Sequence, residues 1–119
     1  MGAAGAAILY DLSIDPTAKQ AARNRAAGWV RSEQFKKVAS PDVEVAAALR
    51  YSKSCREKHA LLPRAAEVGS QRALDHLKIA KVRGGCGRRG RDDCFPCLRK
   101  DDALKNAIAA IEKRLADKR

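Results

Sequence analysis

Four cysteines, two histidines and one arginine-rich run are the residues of this 119-residue chain best suited to chemistry, and most of them share one stretch. Gly84 to Lys100 reads Gly-Gly-Cys-Gly-Arg-Arg-Gly-Arg-Asp-Asp-Cys-Phe-Pro-Cys-Leu-Arg-Lys, which spaces Cys86, Cys94 and Cys97 as Cys-x7-Cys-x2-Cys. Cys94 and Cys97 can clip one metal ion between two thiolates, with Cys86 as a third ligand. Structural zinc takes four ligands from Cys and His. Cys55 is the best fourth, with His59 and His76 as substitutes, and zinc is then the one cofactor to consider. The second Cys-x2-Cys pair of the commoner zinc sites is missing. Two plainer readings weigh slightly more: thiols buried as small apolar groups, or one disulfide from Cys86 to Cys94 or Cys97.

Cys94-Phe95-Pro96-Cys97 also has the spacing of a thioredoxin-type redox pair. Such a pair belongs at a helix N-terminus after a strand, a context this sequence lacks. Arg88, Arg89 and Arg91 set three guanidiniums on a glycine-rich backbone, which suits contact with the phosphates of nucleic acid or a phosphopeptide. The plainer reading is a solvated loop, because no aromatics interleave the run and Asp92-Asp93 offset part of its charge. No catalytic constellation is visible. His59 and His76 have no serine or acid at a motif spacing and read as helix-surface or boundary residues, so the chain is expected not to be an enzyme.

The elements that must hold these residues are helices. The apolar content is heavy in alanine, the best helix former, and the aromatics are only Tyr10, Trp29, Phe35, Tyr51 and Phe95. A sheet protein would draw on valine, isoleucine, threonine and aromatics instead. Ala3–Leu12 forms a short helix with Ile8, Leu9 and Leu12 on one side. Asp15-Pro16 reads as a cap and first-turn proline opening a helix to about Arg31, with Ala18, Ala21, Ala22, Ala26, Trp29 and Val30 as its inner stripe. Trp29 is then a core anchor. Ser32 opens a short segment through Val38, and Ser40-Pro41-Asp42 opens a helix apolar nearly all round.

Ser54-Cys55-Arg56-Glu57 is a capping box. Its helix runs through Val68 with Pro63 kinking or splitting it. Gly69 is a left-handed stop and Ser70 the next cap. Ala73, Leu74, Leu77 and Ala80 line the following helix, which Gly84-Gly85 ends. After a loop without secondary structure, Asp101 caps a last helix whose Leu104, Ile108, Ile111 and Leu115 form an amphipathic stripe. Lys113, Arg114, Lys118 and Arg119 crowd its end, where the helix dipole favours cations. The expectation is one all-α domain over residues 1–119, six or seven helices in antiparallel hairpins. Ser54–Lys81 would be one such hairpin, and the whole a degenerate helical array or a bundle. The Cys-rich basic loop at 84–100 would fasten the last helix.

The formal net charge is +11. No stretch has the apolar length of a membrane span. The N-terminus lacks the basic region of a signal peptide. A soluble chain without membrane insertion is expected, and the helix starting near residue 1 suggests a piece of a longer protein.

A family resemblance rests on particular runs. Ser54-Cys55-Arg56-Glu57-Lys58, Leu61-Leu62-Pro63-Arg64-Ala65, Val68-Gly69-Ser70 and Ala73-Leu74 are followed by Gly85-Cys86-Gly87 and Asp93-Cys94-Phe95-Pro96-Cys97-Leu98-Arg99. Together they resemble the non-catalytic C-terminal helical region of eukaryotic-like serine/threonine protein kinases of myxobacteria and related bacteria. The similarity spans most of the chain, Ile8–Leu12 and Trp29 included, and is most specific at Cys86–Arg99. It implies a HEAT- or tetratricopeptide-like helical module attached to a kinase, for regulation or binding of a protein partner. The location it implies is cytoplasmic, or extracytoplasmic if the module is the tail of a membrane-spanning kinase. It implies no kinase activity: the Gly-rich loop, Val-Ala-Ile-Lys, His-Arg-Asp and Asp-Phe-Gly are all absent. The alternative expectation is a basic nucleic-acid-binding module working through Arg88, Arg89 and Arg91.

Overall fold

In the computed structural model, which describes residues 2–118, the chain runs through seven α-helices and one short β-ribbon. Met1 and Arg119 lie outside the described residues, and with Arg119 the last of the terminal cations. The helices are α1 (Ala3–Ile14), α2 (Gln20–Val30), α3 (Glu33–Val38), α4 (Pro41–Arg50), α5 (Cys55–Val68), α6 (Gln71–Lys81) and α7 (Ala103–Asp117). The fold is all-α, as alanine content and apolar spacing predict. Between α6 and α7 lie the strands β1 (Gly85–Cys86) and β2 (Asp92–Asp93), paired antiparallel, and a 3-10 segment over Pro96–Asp102.

The ends of the elements show where local signals held. At α5 the capping box forms: the Ser54 hydroxyl accepts from the Glu57 N–H at 3.1 Å, and the Glu57 carboxylate accepts from the Lys53 N–H at 2.7 Å. Pro63 sits inside α5 without splitting it. Buried Leu62 and Ala65 pin the helix on either side of the missing N–H. Asp15 does accept from Thr17, as an N-cap would, at 2.8 Å. The helix fails to follow because Lys19 is extended at φ −62° and ψ 143°, so Asp15-Pro16 closes an isolated turn and α2 starts at Gln20.

Gly69 is not left-handed: its φ is −63°. What it provides is proximity. A Cβ there would meet Ile111 Cδ1 at 3.0 Å and Ala73 Cβ at 3.2 Å, besides the Ala65 carbonyl. The left-handed residues before α7 are Asp101 and Asp102, and α7 begins after Asp102 with no side-chain cap. In α1 the inner residues are Ala6 and Tyr10, one turn apart, whereas Ile8 is 67% exposed.

Packing departs from the expected hairpin at Ser54–Lys81. α5 and α6 make little contact with each other; α4 and α7 each pack against both. The Gly69-Ser70 turn therefore splays the two helices, and their stripes meet on α4 and α7. The α1–α2 pair packs onto this group through α4 and α3. Tyr10, Phe35, Val43, Leu49, Leu77, Leu98 and Ile111 fill one contiguous core. Trp29 is only half-buried, edge-on to Phe35 with ring centroids 5.6 Å apart.

Polar ties hold the elements in register. Arg72 of α6 grips Asp11 of α1 through two bonds of 2.9 and 3.0 Å. Burial pushes the Asp42 carboxyl up, but hydroxyls from Ser40 and Ser70 outweigh it and hold the group below its ordinary value. Arg114 of α7 donates to the carbonyls of Ala66, Glu67 and Gly69, the otherwise orphaned acceptors at the end of α5. Arg114→Ala is expected to lower the unfolding free energy by about 1–3 kcal/mol in urea denaturation, the scale of stranded acceptors, while Arg114→Lys recovers part of the loss.

Candidate functional site

The Cys-rich stretch is a clasp closed by two disulfides. Cys86 pairs with Cys94 and Cys55 pairs with Cys97, at Cα separations of 5.2 and 6.1 Å, ordinary for such bridges. The first closes a small ring around the β1–β2 ribbon. The second ties the 3-10 segment to the first turn of α5.

The four sulfurs that would have made a zinc site are thus consumed in pairs. Among the described residues no cluster of three or more Cys, His, Asp or Glu is placed to hold a metal ion. His59 and His76 do not join the sulfurs. The Cys86–Cys94 bridge is one of the two pairings the spacing allows for Cys86; the partnership of Cys55 with Cys97 was not legible, since Cys55 entered only as a metal ligand.

The loop also has the secondary structure it was expected to lack. Gly85, Gly87 and Gly90 take positive φ values of 96°, 81° and 66°, so the chain reverses within the ring at no steric cost. Asp93 turns inward, accepting from Arg99 at 3.0 and 3.1 Å and from the Phe95 N–H at 2.9 Å. These bonds, led by the one from Arg99, hold the Asp93 carboxyl below its ordinary value. Arg99 also donates to the Ala80 carbonyl at 2.8 Å, so the clasp caps the end of α6. Arg88, Arg89 and Arg91 are left at the exposed tip of the ring.

Beneath the clasp lies a group that the sequence reading passed over. Lys58 is 4% exposed. Its ammonium donates to the Leu49 carbonyl at 2.6 Å and to His76 Nε2 at 2.9 Å, and stands 5.1 Å from the centre of the Phe95 ring. The three N–H bonds thus have two acceptors and one π face. An ammonium cannot accept, so Nε2 of His76 must, and the imidazole is neutral with its proton on Nδ1.

Burial, aided by the neighbouring Lys58 and Arg50, drives the His76 pKa down from 6.5 to about 4. Burial first, and Arg50 second, also lower Lys58. The signal for both residues was present in the spacing. Lys58 stands three, four and seven positions before Leu61, Leu62 and Ala65, and His76 lies three after Ala73 and four before Ala80. Each is on an inner stripe, although in sequence His76 reads as a helix-surface or boundary residue.

A second feature is open to solvent. Val30 and Phe35, Ala47 and Tyr51, and Ala60 and Leu61 wall a groove of about 590 Å³ between the α2–α3 corner, α4 and α5. Arg31, Lys36, Lys53, Glu44 and Glu57 ring it, and Arg31 stands 6.0 Å from the centre of the Tyr51 ring.

No family model, curated protein or solved structure matches this chain. What it does must be argued from its own surfaces. Among the described residues no serine, thiol or carboxylate hydrogen-bonds the Lys58–His76 pair, and it reads as a satisfied buried contact that joins α4, α5, α6 and the clasp. No helix in the described residues is long and apolar enough to cross a membrane.

Proposed function

We propose that this chain is a non-catalytic helical module that binds a protein segment, and that by its resemblance it serves a kinase as a regulatory attachment. The observation that carries the reading is the groove between the α2–α3 corner, α4 and α5. It has the mixture recognition grooves use, an apolar floor of Val30, Phe35, Ala47 and Leu61 beneath a charged rim. Tyr51 adds a flat, amphipathic face of the type enriched at binding hot spots. Of the two locations the resemblance leaves open, two disulfides in a chain this small favour the extracytoplasmic one, where thiols stay oxidised.

The test uses Ala60→Arg, which fills the groove from an exposed position on α5 and leaves the core alone. Peptides selected from a random library against the natural protein are expected to bind Ala60→Arg about tenfold or more weakly, the scale of a lost hot spot. The variant's circular dichroism should match the parent's. A library that yields only peptides indifferent to Ala60→Arg would remove the groove from the account.

A further inference from the structure

We propose that the end of α6 and the disulfide-closed ring form an adsorption surface for anionic lipid headgroups, on which the protein rests without inserting a helix.

Three observations lead there. The first is charge left without a partner. Residues 81–105 hold eight basic and four acidic side chains. Among the described residues, Lys81, Arg83, Arg88, Arg89, Arg91 and Lys105 form no ion pair. In the sequence Asp92-Asp93 seemed to offset the arginines. In the fold Asp93 is spent on Arg99, while Asp92 lies beside Gly87 and stays exposed. Asp101 and Asp102 are exposed in the turn into α7, where Asp102 shares a surface hollow with Lys81, Arg83 and Lys105 and offsets one of them. The tip arginines therefore face solvent with only Asp92 beside them, and their field stays net positive.

The second observation is apolar. Ile79 and Val82 are 64% and 65% exposed, among the most exposed large hydrophobic residues of the molecule. They stand one turn apart at the end of α6, interleaved with Lys78, Lys81 and Arg83. Exposed aliphatic side chains among cations are what an interfacial surface presents: the cations meet headgroups and the aliphatics enter the boundary below them.

The third observation separates lipid from single-stranded nucleic acid. Single-stranded nucleic acid is held by aromatic platforms as well as by cations. None of the five aromatic residues is exposed, and the side chains that flank this basic field are aliphatic. The Cys86–Cys94 bridge fixes the ring that carries the arginines, so little order remains to be imposed when they meet a surface.

The experiment is cosedimentation of the oxidised protein with vesicles of phosphatidylcholine, with and without phosphatidylglycerol, at low and high salt. Binding is expected only with phosphatidylglycerol, and it should weaken with salt. Arg88→Ala/Arg89→Ala/Arg91→Ala should reduce partitioning by about a hundredfold, from what a surface cation contributes at an anionic leaflet. Ile79→Ser/Val82→Ser, which leaves every charge in place, should also reduce it, and both variants should keep the parent's circular dichroism. Equal binding to both vesicles, no binding to either, or an unaffected arginine variant would overturn the proposal. So would a duplex oligonucleotide that strips the protein from the vesicles while Ile79→Ser/Val82→Ser binds them as well as the parent; that pattern would assign the same arginines to nucleic acid.

Discussion

Replacing Cys55 and Cys97 together by serine is expected to lower the unfolding free energy by about 4 kcal/mol, the loop-closure value for a bridge of this span. The bridge joins residues 42 apart and encloses α5, α6 and the ribbon. Without it the unfolded chain regains the freedom of that whole loop, while the folded clasp must rely on Leu98, Phe95 and Arg99. The same change at Cys86 and Cys94, only 8 residues apart, should cost less, about 2–3 kcal/mol on the same relation. Urea denaturation of the two double variants beside the oxidised parent measures both. The parent in excess reductant should unfold at lower urea than either variant, because it lacks both bridges. Equal midpoints for the Cys55/Cys97 variant and the parent would mean that the clasp adds nothing to the body beneath it.

Acid should act through His76 before it acts through the carboxylates. The imidazole has a pKa of about 4 in the fold against 6.5 when free. The unfolded chain thus takes up a proton at a pH where the folded one refuses it, and stability falls as pH drops from 6.5 toward 4. The full difference amounts to about 3 kcal/mol at 1.36 kcal/mol per pKa unit. Above pH 6.5 the contribution is constant. Below pH 4, Asp42 and Asp93, held under their ordinary values, bring a further loss of the same sign.

Burial is the first cause, and beside it an imidazolium would face the Lys58 ammonium across the 2.9 Å that now holds a hydrogen bond. His76→Gln keeps an acceptor for Lys58 and removes the titration. Thermal midpoints of this variant should stay nearly level between pH 6.5 and 4.5, while those of the parent fall. A parallel fall in both proteins would assign the acid sensitivity elsewhere.

What could be read beforehand follows the range of the forces involved. Ser54 and Glu57, the stripe of Leu104, Ile108 and Ile111, and Ala73, Leu74, Leu77 and Ala80 are governed by neighbours within a turn, and all took the places their spacing gives them. Gly69 was placed correctly at the end of α5 for the wrong reason. Its constraint is room for a side chain: a Cβ would meet first the Ala65 carbonyl and then Ile111 and Ala73, the latter two brought there by packing that no local pattern contains. Asp15-Pro16 made its cap bond and no helix, because whether a capped turn propagates depends on what the helix has to pack against.

The clasp was legible as a cross-link and illegible as a pairing. Spacing permits several partners for Cys97, and only the docking of the 3-10 segment on α5 selects Cys55. Lys58 and His76 illustrate the same limit from the other direction. A cation on an inner stripe looks like an error of spacing until the carbonyl of Leu49, the ring of Phe95 and the imidazole are brought around it from other elements.

The ring closed by Cys86 and Cys94 is joined to the body through both ends, yet no side chain between them is part of the core. Its tip can therefore be rewritten without consulting the helices: foreign peptides grafted between Gly87 and Gly90 should be displayed in a constrained loop. By the same token, this is the segment whose sequence can change while the architecture stays still.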